Sequence, residues 1–221
     1  MVNLWGFGPS FNEDNIPARS AIKVALERTG YQKVLIDAGK QLIKKTTEDV
    51  YLDFSSIAKG YGVDRLAILL DKWGYTDYMI EIGGEIRVQG VNKKGIAWLI
   101  AVEKPDSTQR DIQKILSLDD ISLATSGDYR NYFEKEGVRY SHTINPLTGW
   151  PVKHQLVSVT VLADSSMKAD GWATALLAIG VEKGYDLAIK NQLSVLFITK
   201  HQDELDEKMT PSFTKYIKEQ Q

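Results

Sequence analysis

The stretch LVSVTVLADSSMKADGWATALLAIG, Leu156 to Gly180, changes its period halfway along. In its first part Val157, Val159 and Val161 alternate along LVSVTVLA, which predicts a strand with one buried face. From about Ser165 the spacing turns helical and runs to Gly180, a residue suited to ending a helix. A strand that hands over directly to a helix sets the pattern for the rest of the chain.

Working outward, Pro17 opens a predicted helix with Ile22, Ala25, Leu26 and Thr29 on one face, closed by Gly30. KVLID (33–37), QLIKK (41–45) and DVYLDF (49–54) read as short strands. Ser55 or Ser56 is placed to cap a helix that runs to about Trp73, before Gly74. Its predicted buried stripe is Ile57, Tyr61, Leu66, Leu69 and Leu70. YMIEIGGEIRVQG (78–90) reads as two strands joined at Gly83-Gly84, a hairpin or bulge signal. Further strands are predicted over 95–105, 121–127 and 193–200, a helix over about 182–190, and a last edge strand over 212–219. Strands and helices are mixed without strict βαβ order, so the expected class is α+β, in one domain.

The bulk numbers narrow the function. With 221 residues, 43% hydrophobic and 25% charged, the chain can bury a substantial core. Its 27 basic and 29 acidic residues leave a net charge of -2, so composition does not point to nucleic acid as a partner. The absence of cysteine excludes disulfides, thiolate metal sites and cysteine nucleophiles. No apolar run reaches the length that spans a bilayer, and the first residues do not read as a signal peptide. Trp5, Phe7 and Phe11 so close to the start belong inside a fold, which leads us to expect that the sequence begins partway into a longer protein.

Several residues are candidates for chemistry, each with a structural alternative. Lys59 and Gly60 follow two serines at a helix start, where free amides and the helix dipole attract anions and a lysine adds charge for phosphate. The alternative is an ordinary capped helix with a solvated lysine. Gly83-Gly84 before Glu85 fits a close-approach site or a plain hairpin turn, and it is not a dinucleotide fingerprint. Asp170 and Thr174 are four apart on a helix, so both lie on one face about 6 Å apart along the axis. Two hard oxygen donors so placed suit Mg²⁺; alternatively, Asp170 caps its own helix and Thr174 bonds back to a carbonyl.

His142 lies in RYSHTINPLTG (139–149), where Pro146 and Gly149 mark a turn. An imidazole there is suited to moving protons near neutral pH, or is simply a hydrogen-bonded strand histidine. His154 and His201 have no metal-ligand spacing with it. Thr125-Ser126-Gly127-Asp128 lacks the frame of a nucleophile elbow and reads better as a hydroxyl-rich turn that binds phosphate or positions a neighbour. Tyr129, Tyr132 and Phe133 recur at helical spacing and read as core.

In their order, DFSSIAKGYGVD, EIGGEI, LATSGDYRNYF, YSHTINPLTGWPV and SVTVLADSSMKADGWATALLAIG resemble the ApbE family, the FAD:protein FMN transferases of bacteria. The likeness runs from LWGFG near the start to ALLAIG. It implies a single α+β domain with a mixed, mainly antiparallel sheet and packed helices. It also implies Mg²⁺ as cofactor and FAD as substrate, with FMN moved to a Ser or Thr of an acceptor flavoprotein and AMP released. By the resemblance, Asp170, Thr174 and the Ala58 carbonyl hold the metal, and His142 is the general base. Lys59, Thr125, Ser126, Gly83, Gly84 and Glu85 line the dinucleotide cleft. Family members are lipoproteins on the periplasmic face of the cytoplasmic membrane; the segment with export signal and lipidation cysteine is absent from this sequence, which implies an N-terminally truncated chain with impaired flavin binding. An Mg²⁺-dependent FAD pyrophosphatase and a non-catalytic FAD-binding protein are the alternatives.

Overall fold

The computed structural model describes residues 1–8, 16–105, 111–128, 132–135, 137–202 and 204–218. The first elements are α1 (Arg19–Glu27), β1 (Val34–Asp37), β2 (Leu42–Lys45) and α2 (Ser55–Lys72). Then come β3 (Tyr78–Ile82), β4 (Glu85–Gln89), β5 (Trp98–Glu103), β6 (Ile112–Leu118) and β7 (Ile121–Gly127). β8 (Tyr132–Lys135), β9 (Val138–Ser141), β10 (Leu156–Ala163), α3 (Ser166–Ile179) and α4 (Val181–Lys190) follow. The chain continues with β11 (Ser194–His201), β12 (Glu204–Met209) and α5 (Pro211–Thr214). Every strand pair is antiparallel, in keeping with the expected α+β class.

The chain divides into two compact units, one of Met1–Asp53 with Asn131–Lys153, the other of Phe54–Arg130 with His154–Gln221. In the first unit the β1–β2 and β8–β9 ribbons accompany α1. Its core gathers Trp5, Ile22 and Phe133, with Phe7, Tyr140 and Trp150 packed against them. Trp5 Nε1 donates to the Gly149 carbonyl at 2.7 Å. Gly149 has φ +73°, and a β-carbon there would lie 2.6 Å from Ile22 Cγ2, so the turn and the packing both require glycine.

The second unit is built on a six-stranded sheet in the order β12-β11-β10-β7-β4-β3. One face packs Ala124, Val159, Val161, Val195 and Phe197 against Ala169, Ala173, Leu176 and Leu177 of α3 and Ala188 of α4. The opposite face packs Val88, Leu123, Leu162 and Ile198 against the β5–β6 ribbon and Phe213. β10 is therefore covered on both sides. Its register shifts between Leu156 and Ser158, and Val157 joins the second face while Leu156, Val159 and Val161 join the first. The expected single valine face is thus broken at the bulge, where one extra residue reverses the alternation.

Other expectations are also corrected. DVYLDF (49–54) forms no strand among the described residues. Phe54 is the N-cap of α2, without a side-chain bond, and Ser55 and Ser56 are its first helical residues. The buried face of α2 is Gly60, Val63 and Ala67, whereas Tyr61, Leu66 and Leu69 are exposed. At Gly60 the face is bare because α3 comes close, while Val63 and Ala67 pack against Tyr78 and Ile80 of β3. The predicted strand over 212–219 is instead the short α5 followed by a single bridge from Ile217 to Leu116. Tyr132 and Phe133 lie in β8 rather than on a helix; Tyr129, Phe11 and residue 219 lie outside the described residues.

Candidate functional site

Two helices cross where Gly60 of α2 meets the start of α3. A β-carbon on Gly60 would lie 2.3 Å from the Ser166 carbonyl oxygen, so only glycine permits the approach. The room that Gly60 leaves is taken by α3. The Gly60 N–H donates to Asp170 Oδ2 at 3.0 Å. One turn along α2, Asp64 accepts from the Ser166 and Met167 amides at 2.7 and 3.0 Å. Ser165, the α3 N-cap, accepts from the Lys168 amide. These bonds satisfy first-turn amides that the helix itself cannot pair, and Asp64 adds a negative charge where the dipole favours one.

Asp170 is 3% exposed and bonds across to α2 instead of capping its own helix. Thr174, one turn later, meets Ser126 of β7, with 3.1 Å between the two hydroxyl oxygens. Thr125 is turned elsewhere, with its hydroxyl 2.9 Å from that of Thr160, its direct partner across β7 and β10. Ala58 stands in the first turns of α2, two residues before the amide that holds Asp170.

Beside this crossing, Gly83 and Gly84 turn β3 into β4 with φ +59° and +95°. Two consecutive positive φ values are what a tight type I′ hairpin demands. Glu85 follows at once, 2% exposed, and its Oε1 accepts from Lys59 Nζ at 2.7 Å. Lys59 also reaches the Gly83 carbonyl, at 3.5 Å. Glu85 Oε2 is buried and has no hydrogen-bond partner among the described residues. Burial pushes the Glu85 carboxyl above its ordinary range; Lys59 opposes this and the charge of Asp170 adds to it. Burial likewise pushes Asp170 up, against the pull of the Gly60 amide and Lys59. Two buried carboxylates therefore share one lysine, and the site is short of positive charge.

His142 belongs to the first unit, immediately after β9. It is half-buried, and its ring lies edge-on to Phe7 with 6.3 Å between centroids. The loop beyond it is tightly specified. Asn145 Oδ1 accepts from the Leu147 and Thr148 amides, the Gly149 amide returns to the Asn145 carbonyl, and Val152 N–H donates to Thr143. His142 thus sits on a shoulder whose backbone is fixed by an Asx turn.

Of the residues singled out in the sequence, Ala58, Lys59, Gly83, Gly84, Glu85, Ser126, Asp170 and Thr174 come together around the start of α2 in the second unit. Sequence reasoning missed Asp64 as the residue that seats α3, although a carboxylate four positions after Gly60 on the buried helix face was a usable signal. It also missed His154, whose Nε2 lies 2.7 Å from the Leu177 carbonyl and ties down the far end of α3. Among the described residues no group of three or more His, Cys, Asp or Glu is placed to hold a metal. One carboxylate, one hydroxyl and a backbone carbonyl would make the sparse hard-oxygen set that Mg²⁺ takes when water and phosphate fill its other positions. The donor chemistry therefore fits that ion.

The model of the ApbE family matches residues 1–197. The FAD:protein FMN transferase of Vibrio cholerae serotype O1 is 46% identical over 217 residues, 98% of this chain and 64% of its own length. That of Escherichia coli K12 is 36% identical over 219 residues, 98% of this chain and 62% of its own length. Among solved structures, the flavin transferase ApbE from Vibrio cholerae superposes with a TM-score of 0.87 at 45% identity, covering 97% of this chain and 68% of that one. The apo flavinyl transferase ApbE of Pseudomonas stutzeri gives 0.86 at 39% identity, covering 97% and 66%. The chain thus spans less than two thirds of the length of the curated relatives it matches.

Proposed function

The chain belongs to the ApbE family, and on that premise we propose that it transfers FMN from FAD to a Ser or Thr hydroxyl of an acceptor protein. The observation that carries this reading is the crossing of α2 and α3. There a buried Asp170 and the Thr174 hydroxyl are set one turn apart, beside Lys59 and a helix start. The arrangement is suited to a pyrophosphate: a lysine and the positive end of a helix for its charge, and hard oxygens that would hold a divalent ion.

Asp170, Thr174 and the Ala58 carbonyl would hold Mg²⁺, which when bound offsets charge on the phosphoryl oxygens and the leaving group. The chain's own residues do the rest. Gly60 N–H fixes the Asp170 carboxylate, and Ser126 fixes the Thr174 side chain. Lys59 binds the anionic phosphates. The acceptor oxygen forms a bond to the phosphorus of the FMN half, the pyrophosphate linkage breaks, and AMP leaves. His142 takes the acceptor's proton, a role matched to imidazole near neutral pH.

Incubation with FAD, Mg²⁺ and an acceptor protein tests the reading. The expected result is an acceptor heavier by one FMN, with AMP released in equal amount, and loss of both on chelation. Free FMN and AMP with an unmodified acceptor would make the chain a pyrophosphatase. FAD bound without AMP would make it a binding protein.

A further inference from the structure

We propose that Glu85 is a positioning residue: its buried carboxylate holds the Lys59 ammonium at the start of α2, so that Lys59 can meet an anionic oxygen of a pyrophosphate-bearing ligand. The inference deepens the proposed function and rests on it for the identity of the ligand. The two members of the pair are unequal. The Glu85 side chain is 2% exposed and the Lys59 side chain 47%, with 2.7 Å between Nζ and Oε1. The carboxylate is therefore the fixed end and the ammonium the presented one.

The geometry around the pair narrows the lysine's freedom. A β-carbon on Gly83 would lie 3.3 Å from Lys59 Cδ, so the stem passes close over the turn. The Gly83 carbonyl gives the ammonium a second, longer contact at 3.5 Å. An ammonium has three N–H donors, so a third remains for a ligand after these two. Around Gly84 nothing among the described residues, its chain neighbours apart, lies within 4 Å of where a β-carbon would stand.

Stability alone does not account for the pair. A carboxylate buried with one half-exposed lysine, and with Oε2 unpartnered among the described residues, gives up hydration that few contacts repay. An apolar residue at the first position of β4 would fill the same space without that penalty. What the carboxylate adds is a defined place for a long, flexible cation. Holding the lysine in advance removes rotamer entropy that binding would otherwise have to overcome.

A double-mutant cycle on binding tests this. Calorimetry with inorganic pyrophosphate and with FAD, each with Mg²⁺, is run on the unsubstituted chain, Lys59→Ala, Glu85→Gln, Glu85→Ala and both double variants. Melting temperatures are taken alongside. Positioning predicts that Lys59→Ala and Glu85→Ala each weaken pyrophosphate binding about tenfold, and that Glu85→Ala costs nothing further once Lys59 is gone. Glu85→Gln, which keeps the buried volume, also loses affinity only while Lys59 is present. If the two losses multiply, or track the melting temperatures, Glu85 is merely structural and the inference is wrong. Failure of the unsubstituted chain to bind pyrophosphate also overturns it. Failure of the transfer reading looks different: pyrophosphate and FAD bind and show the coupling, yet no AMP appears.

Discussion

The two ends of α2 are held by different means. Near its start, contacts are made by backbone or within one atom of it: the Gly60 amide on Asp170, the Ser166 carbonyl over Gly60, and the α3 amides on Asp64. Toward its finish, Ala67 and Leu70 pack against Tyr78 and Ile80 of β3, and the Tyr78 hydroxyl donates to Asp71 at 2.8 Å. The first end has almost no freedom to adjust, and it carries Ala58 and Lys59. The second is a side-chain interface that can repack. A site that must place oxygens to a fraction of an ångström is built on the end where backbone meets backbone.

That contrast can be broken. Gly60→Val should have the largest effect, about 3 kcal/mol or more, because the obstacle is the Ser166 carbonyl and no rotamer relieves it. Thermal denaturation reads the loss, and a stable Gly60→Val protein would refute the close crossing. Asp64→Ala should follow at about 2 kcal/mol, since two first-turn amides lose a charged acceptor. Urea denaturation gives the value, with the change appearing in the midpoint rather than the slope.

At the other end, Tyr78→Phe should cost about 1 kcal/mol near neutral pH. The pH dependence separates this bond from the packing around it. Burial and the neighbouring Asp71 push the Tyr78 hydroxyl up from 10.0 to about 12, so the folded chain keeps a proton there that the unfolded chain releases. That contribution is complete below pH 10 and is lost as pH rises toward 12. An alkaline denaturation series should therefore be flatter for Tyr78→Phe than for the parent; parallel curves would assign the alkaline loss elsewhere. The smallest effect belongs to the outward face: Trp73→Ser, at a residue 64% exposed, should change stability by no more than about 0.5 kcal/mol. A cost well above that in urea would mean that this face is covered in solution.

How far the sequence disclosed these things depended on how local each cause is. α3 was legible because Ser165 caps it and Gly180 closes it, and the β3–β4 hairpin because two adjacent glycines permit few other shapes. That Asp170 and Thr174 share one face of α3 was legible from helical spacing, whereas their joint role came only with the resemblance. β12 was not, since ELDEKM has no apolar run and gains its strand only by pairing with β11. β6 (IQKILSL) was missed because Gln113, Lys114 and Ser117 interrupt the apolar pattern, and the segment is fixed by β5. The buried face of α2 was misread because size, normally a guide to burial, fails at Gly60, where a second helix comes close, and at Ala67, which packs on β3. Asp64 escaped because its partners are amides 102 and 103 residues away, and its place four positions after Gly60 was the local hint.

The bond between Trp5 and the Gly149 carbonyl has a consequence in time rather than in space. It joins residues 144 apart, and the unit it closes is assembled from two stretches with residues 54–130 between them. During synthesis Trp5 emerges long before its partner, and the aromatic cluster cannot complete until the intervening chain has been made and its ends brought together. Trp5 thus waits through the synthesis of 144 further residues for its final neighbour, and the contact it makes belongs to a late stage of folding.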